Sequence, residues 1–527
     1  MHDYLIKNAK IYDGTGCPHY LAHLAIKGGK ISYIGKTPGE TCHTLDAGGL
    51  AVAPGFIDAH SHTDMSWHIH PESTRKLEQG VTTEVAGSCG ISPAPVSKEF
   101  AEEAKHGSLR KKDENFDPEN FRTFGAFMDF MDIPFGPNMI TQVGHGAIRT
   151  AVSGYADRGL TESEMGRMKE YVHEAMSSGC HGISFGLIYP PGSYSKEEEE
   201  LTELCRVVAD YGGTFSIHMR SEGPKLVESV ESVIRMAENA GIRAVISHHK
   251  ASGKTNWGKT EQTIELIEKA NNRGIEVFLD QYPYSASSTG LNIMIPDNMH
   301  AMGAPKLIEM LSTSEGRKEI SDRIKKDRGV TSDQDSTAAL AHVMIGNSES
   351  HGECSSRMLV EAAEEARKDP YELLMDILRD DKLTTGAIYF TMNEEDIERV
   401  MKYRRTMVGS DGLYIPGDKG GHPRGVGTFP RFLGVYVREK GLMPMEEGIR
   451  RMTSMPAAVY SLKRKGLLKE GMDADITVFN PATISSRADY KNFDAPCEGI
   501  HTVFVAGVPV VQNGAFNGKR MGRLLRL

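Results

Sequence analysis

The sequence contains no uninterrupted apolar run of about 18 residues, the length at which a helix begins to span a bilayer. It also lacks an excess of positive charge, since 61 Lys and Arg against 71 Asp and Glu give a formal net charge of −10. We therefore expect neither a membrane protein nor a general nucleic-acid binder, because no positive field would attract phosphates.

Cysteine is scarce and scattered. The seven cysteines show no CxxC spacing, and their odd number argues against a disulfide framework. The first residues lack the basic start and apolar run of a signal peptide. These features favour a reducing compartment, and we expect the cytoplasm. With 39% apolar and 25% charged residues, the composition is typical of a soluble globular protein.

Both ends of the chain consist of short β-rich runs separated by Gly-containing turns. The N-terminal runs cover 4–8, 10–12, 24–27 and 31–34, and the C-terminal runs cover 476–479, 502–505 and 509–511. We interpret residues 1–53 and 464–527 as one small β-sandwich domain, which the chain leaves and later re-enters. Residues 54–463 would then form the larger domain.

The central stretch alternates helical and strand patterns. Capping boxes at Thr161-x-x-Glu164 and Ser195-x-x-Glu198 precede segments with apolar residues at helical spacing. Short apolar runs at 182–187, 214–217, 244–247 and 276–279 recur about every 30 residues, the length of a βα unit. This alternation predicts an α/β protein with a parallel sheet, either doubly wound or a (β/α)8 barrel, and spacing alone does not distinguish them.

Histidines stand at the ends of three predicted strands. His60 and His62 are two residues apart, so on a strand their rings would face the same way and could share a metal ion. His218 and His248 close strands one βα unit apart and would meet at the same sheet edge. Alternation favours His248 over His249 as the inward residue. Each alone is more simply a loop or packing histidine, but together they predict a metal site.

Two further residues become candidate functional residues because of these histidines. Cys89 follows a β-rich run and stands in Gly87-Ser-Cys-Gly90. A buried structural cysteine, a nucleophile and a zinc ligand are all open interpretations of it. Asp411 ends a short apolar run just before the chain returns to the terminal β-domain. Its simpler interpretation is an Asp-Gly turn.

Together these motifs resemble the amidohydrolase superfamily. The resemblance extends to two flanking runs, Pro54-Gly-Phe-Ile-Asp58 and Gly471-Met-Asp-Ala-Asp-Ile-Thr-Val-Phe479, so it spans nearly the whole chain. It implies a (β/α)8 TIM-like barrel with histidines on strands one, five and six and an aspartate on strand eight. Gly87-Ser-Cys-Gly90 further resembles the D-aminoacylases, which hydrolyse N-acyl-D-amino acids.

The resemblance to the D-aminoacylases implies roles for particular residues. A tight zinc ion would be held by Cys89, His218 and His248, and a weaker second site would use His60, His62, Cys89 and Asp411. Asp411 would act as general base and then general acid in amide hydrolysis. The α-carboxylate of a small N-acyl-D-amino acid substrate would be bound by Lys250, Tyr282 and, less directly, Tyr189. Residues 286–349 resemble an insertion beside the active site, either a lid or a structural excursion.

Two alternative functions stay open. Hydantoinases and dihydropyrimidinases hydrolyse cyclic amides with a carboxylated lysine on the fourth strand, and residues 182–191 contain no lysine. A non-catalytic barrel scaffold would be expected to have lost metal ligands, whereas every expected ligand is present. The absence of Arg and Lys from residues 285–296 favours neutral or apolar substrate side chains.

Overall fold

Strands from both ends of the chain form one sheet in the computed structural model, which describes residues 1–98, 101, 117–195, 198–330 and 332–527. Ala51–Pro54 joins the two halves, since it pairs with His2–Ile11 on one side and Ile476–Phe479 on the other. The strands lie in the order Ala515–Phe516, Val508–Gln512, Ile500–Val505, Ile476–Phe479, Ala51–Pro54, His2–Ile11, Tyr20–Lys27, Lys30–Gly35, with Thr41–Asp46 beside His2–Ile11.

The first strand is continuous where the sequence predicts two runs. Its register against Tyr20–Lys27 shifts between Ile6 and Ala9. Asn8 lies in this bulge with a φ of 54°, a left-handed conformation that asparagine tolerates better than most residues. The predicted runs 4–8 and 10–12 are therefore the two halves of one bulged strand.

Parallel strands make up the central part of the chain. One sheet contains Phe56–Asp58, Val81–Ala86 and Asn138–Thr141, and another contains Val143–Gly144, Gly182–Gly186, Thr214–His218, Arg243–Ile246, Val277–Gln281 and Thr406–Val408. Gln142 alone separates the two sheets along the chain. At the other junction, Ser61 pairs in parallel with Gly412, and Ala59 N–H donates to Val408 O at 3.2 Å. The predicted parallel α/β class is confirmed.

Helices follow most of these strands. They include His145–Ser153, Glu162–Ser177, Glu198–Asp210, Leu226–Ala240, Lys259–Asn272, Glu394–Lys402, Arg424–Arg431, Met445–Arg451 and Ser454–Val459. Thr161 caps the second helix as predicted, with reciprocal hydrogen bonds to Glu164. The Ser195 hydroxyl instead donates to Glu200 Oε1 at 2.8 Å, and residues 196 and 197 of its predicted cap lie outside the described ranges. No described helix is long and apolar enough to cross a membrane.

An insertion lies between the strands Val277–Gln281 and Thr406–Val408. Its antiparallel sheet has the order Ser287–Gly290, Gly386–Tyr389, Val343–Ile345, Arg357–Met358. Its helices are Asp297–His300, Ala304–Leu311, Ser314–Asp327, Asp333–Ala338, Leu359–Glu365 and Pro370–Asp380. Because its first strand pairs with Gly386–Tyr389, the insertion extends beyond the expected end at residue 349. It has an apolar cluster of its own.

A buried ion cluster ties the first, second and last parallel strands together. Lys76 Nζ lies 2.5 Å from Asp58 Oδ2 and 3.3 Å from Glu84 Oε2, and it donates to Ser410 Oγ at 2.8 Å. Asp58 also accepts the backbone N–H of Ser410 at 2.8 Å. One lysine therefore compensates two buried carboxylates, which would be costly to bury unpaired.

Replacing this lysine should destabilise the protein strongly. We expect Lys76→Met to lower the free energy of unfolding by about 3–5 kcal/mol, because Asp58 and Glu84 would stay buried without their cation. As a control, Lys269→Met removes an exposed pair with Glu265 and should change stability by less than about 1 kcal/mol. Denaturant unfolding of both variants measures the difference, and equal stabilities would contradict a structural role for the cluster.

Candidate metal centre

Four ionisable side chains meet just beyond the C-terminal ends of four parallel strands. The ligand atoms of His60, Cys89, His248 and Asp411 all lie within 4.8 Å of one another, and all four residues are buried. Cys89 Sγ is 3.3 Å from Nε2 of His60 and 3.4 Å from Nε2 of His248. A sulfur, two imidazoles and a carboxylate at this spacing form a ligand set suited to zinc.

The Asp411 carboxylate contacts both histidines of the HxH motif. Its Oδ1 lies 3.3 Å from His60 Nε2 and 3.1 Å from His62 Nε2. Its Oδ2 lies 2.7 Å from an Nη atom of Arg424. Burial raises the pKa of Asp411, but Arg424 and His60 outweigh burial and hold that pKa well below its usual range. Asp411 is therefore ionised, and no motif in the sequence marks its arginine partner.

His218 lies beside this cluster at the end of its own strand. Its ring centroid is 4.4 Å from that of His248, and its Nε2 is 3.7 Å from Glu222 Oε2. Within the described part of the chain, neither ring nitrogen has a hydrogen-bond partner. His218, Glu222 and His248 also bring ligand atoms within 4.8 Å of one another. A buried imidazole without a partner is costly, and a cation bound here would remove that cost.

The backbone at three of these residues is left-handed. Cys89, His248 and Asp411 have φ values of 55°, 36° and 47°, which cost about 1–3 kcal/mol each for side chains other than glycine. Gly87, two residues before the cysteine, has a φ of 73°, and a Cβ there would lie 2.0 Å from a carbonyl oxygen of the neighbouring strand segment. The chain thus turns sharply at each strand end, and the turn directs the side chain into the cluster.

Asp280 supports two of the histidines from behind and was not identified from the sequence. Its carboxylate lies 3.1 Å from His60 Nδ1 and accepts the backbone N–H of His248 at 2.7 Å. Burial lowers the pKa of His60, but Asp280 and Cys89 outweigh burial and raise it well above its usual value. The only sequence signal was an acid inside an apolar strand, Val-Phe-Leu-Asp-Gln.

Glu222 links the metal cluster to Lys250. Its Oε1 lies 2.8 Å from His248 Nδ1 and 2.6 Å from Lys250 Nζ. His248 therefore presents Nε2 to Cys89, whereas the His249 ring points elsewhere and lies 2.8 Å from Thr263 Oγ1. Burial and Lys250 lower the pKa of His248, but Glu222 and Cys89 raise it to about 9 overall. Glu222 had no recognisable motif in the sequence.

The Cys89 thiol is strongly acidic in this setting. Burial raises its pKa, but His60 and His248 outweigh burial and lower that pKa well below its usual value. Burial lowers the pKa of His62, whereas hydrogen bonds to Asp411 and Cys89 raise it to about 9. A divalent cation would take the place of the protons that these imidazoles share with the thiolate and carboxylate.

Tyr282 lies between two cationic side chains. Lys250 Nζ is 5.8 Å from its ring centroid, and the guanidinium carbon of Arg424 is 4.8 Å away. Tyr189 accepts a hydrogen bond from Thr289 at 3.1 Å. A cavity of about 330 Å³ is lined by predicted metal and substrate residues alike: Tyr189, His218, His248, Lys250, Tyr282 and Asp411. The structure thus brings the predicted residues together in one region.

Comparisons with known proteins point to one family. The Amidohydrolase family model matches residues 43–511. D-aminoacylase from Alcaligenes xylosoxydans xylosoxydans is 36% identical over 528 residues, covering 99% of this chain and 97% of the relative. A crystal structure of D-aminoacylase superimposes with a TM-score of 0.84 at 33% identity, covering 100% of both chains.

A second solved structure is equally similar. N-acyl-D-glutamate deacylase from Bordetella bronchiseptica, complexed with zinc and a phosphonate inhibitor, matches with a TM-score of 0.84 at 32% identity over 100% of both chains. The resemblance found in the motifs therefore holds over the full length of the chain in sequence and in structure. The chain belongs to the amidohydrolase family and, within it, to the D-aminoacylases.

Proposed function

We propose that this protein is a zinc-dependent deacylase that hydrolyses N-acyl-D-amino acids to a carboxylate and a free D-amino acid. The observation that carries the proposal is that the His60, Cys89, His248 and Asp411 cluster adjoins the cavity lined by Lys250. A reaction centre and a cation for the substrate carboxylate thus lie side by side. The relatives named D-aminoacylase and N-acyl-D-glutamate deacylase support the same substrate class.

We further propose that the parallel strands form a closed (β/α)8 barrel with this site at its C-terminal mouth. The contacts of Ser61 with Gly412 and of Ala59 with Val408 join the first strand to the last, and this supports closure. Residues 1–53 and 464–527 would form the accessory β-sandwich domain and 54–463 the catalytic domain. A cytoplasmic location stays a prediction, supported by seven free cysteines.

The donor set fits a resident zinc ion. His218 has two buried nitrogens without hydrogen bonds to described residues, and the acidic thiol of Cys89 is a soft ligand. Cys89, His218 and His248 would hold a tight ion, and His60, His62, Cys89 and Asp411 a weaker second one. Bound zinc would polarise the amide carbonyl and lower the pKa of the attacking water.

Asp411 would carry the proton during hydrolysis. Its ionised carboxylate would accept a proton from the water that attacks the amide carbon, and would then return it to the leaving amine nitrogen. Arg424 holds Oδ2, so Oδ1 stays directed at the histidine cluster. The other proton of the attacking water leaves with the new carboxylic acid and passes to the amine or to solvent, so the products are a carboxylate and an ammonium group, and Asp411 ends ionised as it began.

Substrate handedness would follow from two fixed points and the space left for the side chain. Lys250 and Tyr282, with Arg424 behind the tyrosine ring, would bind the α-carboxylate while the acyl carbon lies at the metal cluster. With both groups held, the two configurations at Cα exchange the positions of the side chain and the hydrogen, so the space that the cavity leaves for the side chain would select one configuration. A cyclic amide has no free α-carboxylate, and therefore would not use this anchor.

Zinc binding should depend on Cys89 and not on cysteines elsewhere. We expect Cys89→Ala to lose most bound zinc and hydrolysis of N-acetyl-D-amino acids, with N-acetyl-L-amino acids and hydantoin unhydrolysed throughout. Cys180→Ala is the matched control, because Cys180 is also buried and free but lies in the apolar core, and its hydrogen bonds to described residues go to backbone carbonyl oxygens. Elemental analysis and free-amine assays with and without added zinc provide the measurements. Hydantoin turnover by the wild type would support the cyclic-amide alternative.

Removing the proposed proton carrier should abolish turnover without removing the metal. Asp411→Asn keeps the size of the side chain but cannot accept the proton, so we expect kcat to fall by about 100-fold or more. Zinc content by elemental analysis and the thermal unfolding midpoint should stay close to the wild-type values. A variant that retained wild-type kcat would exclude Asp411 as the proton carrier.

The carboxylate anchor can be tested through substrate chemistry. We expect Lys250→Ala to lower kcat/KM for N-acetyl-D-methionine by about 10-fold or more, because a charge-assisted hydrogen bond is lost. The same variant should affect the amide-capped analogue much less. Lys254→Ala, an exposed lysine in the same loop, is the control. Equal losses on the free acid and the capped analogue would rule out carboxylate recognition by Lys250.

A further inference from the structure

Arg328 of the insertion lines the same cavity as the proposed reaction centre. It directly follows the helix Ser314–Asp327, and its backbone N–H donates to Ile324 O at 3.1 Å. Ile320 and Ile324 of this helix are buried in the insertion's own apolar cluster. The backbone position of Arg328 is therefore fixed by packing and by the helix end.

Among the described residues the guanidinium of Arg328 forms no ion pair, and the carboxylate of the adjacent Asp327 acts on it only at longer range. Its side-chain hydrogen bond goes to Met294 Sδ at 2.9 Å, and a thioether is a weak acceptor. The other cations of the site each contact a carboxylate, Lys250 that of Glu222 and Arg424 that of Asp411, and they are already assigned to the α-carboxylate end of the substrate. A guanidinium presents five donors in a planar fork that matches a carboxylate, so the donors not directed at Met294 are available to a ligand carboxylate.

The surroundings of Arg328 also favour an anionic ligand. Arg328 is an exposed residue, yet the nearby protein desolvates its guanidinium enough to lower its pKa below the usual value. His342 lines the same cavity, and burial together with Arg328 lowers the pKa of His342 to about 4. His342 is therefore neutral at pH 7, and Arg328 supplies the positive charge at this end of the cavity.

We propose that Arg328 binds a second carboxylate of the substrate, which makes a dianionic N-acyl-D-amino acid the preferred substrate class. This inference rests on the proposed deacylase function and adds a specificity-determining residue to it. The second carboxylate could belong to the amino-acid side chain, as in aspartate or glutamate, or to the acyl group, as in a succinyl group. The expectation of neutral side chains rested on residues 285–296 and did not include Arg328.

Three substrates separate these sources: N-acetyl-D-glutamate, N-succinyl-D-methionine and N-acetyl-D-methionine as the monoanionic reference. For each dianionic substrate, the measured quantity is its kcat/KM divided by the kcat/KM for N-acetyl-D-methionine. We expect Arg328→Met to lower this ratio about 10- to 100-fold for one of the two dianionic substrates, mainly by raising KM. The substrate affected identifies the source of the carboxylate. Arg323→Met removes the same charge from the outer face of the same helix, where Arg323 pairs with Glu319, and should leave these ratios unchanged.

Further outcomes test the inference separately from the proposed function. A wild-type enzyme that hydrolyses none of the three substrates would overturn the deacylase function itself. Turnover with unchanged ratios in Arg328→Met, or equal losses on all three substrates, would overturn only the role of Arg328. Arg328→Lys keeps the charge and the helix end, so it should retain more of the dianion preference than Arg328→Met. Equal ratios in the Lys and Met variants would exclude charge recognition.

Discussion

The carboxylate of Asp280 is the interaction on which the candidate metal centre depends. It contacts the ring of His60 and accepts the backbone N–H of His248, so one buried acid positions two histidines. The second contact also holds His248 in a left-handed conformation that would otherwise be unfavourable. Glu222 then fixes the His248 ring through Nδ1. Both imidazoles consequently direct Nε2 at Cys89, as second partners commonly arrange in zinc sites.

The positions of the strand-end histidines were predictable from the sequence, because they follow from strand alternation and from the spacing of βα units. Strand alternation favoured His248 over His249, and in the structure His248 faces Cys89 while His249 reaches Thr263. The spacing of one βα unit between His218 and His248 placed both at the same sheet edge, where their rings lie 4.4 Å apart. Strand direction and period are properties of short segments, so a single sequence is enough to reveal them.

The supporting residues were not predictable, because their roles arise from contacts between distant segments. Asp280 lies 220 residues from His60 along the chain, and nothing near it in sequence indicates a histidine partner. Arg424 is the first residue of a helix, and no motif around it in the sequence indicates that it pairs with Asp411. The end of the insertion was missed for the same reason, since Ser287–Gly290 finds its strand partner at Gly386–Tyr389.

The residues proposed for the chemistry and part of those proposed for substrate recognition belong to separate parts of the structure. The metal-ligand candidates stand at strand ends that are fixed by sheet hydrogen bonds, whereas Arg328 comes from an insertion with its own core. Changes in the insertion can therefore alter which side chain or acyl group fits without moving the cluster. The α-carboxylate anchor is different, because Glu222 contacts both Lys250 and His248. Lys250 cannot move without disturbing a metal-ligand candidate, so the proposed recognition of the α-carboxylate would be tied to the reaction centre, whereas the proposed recognition by Arg328 would not.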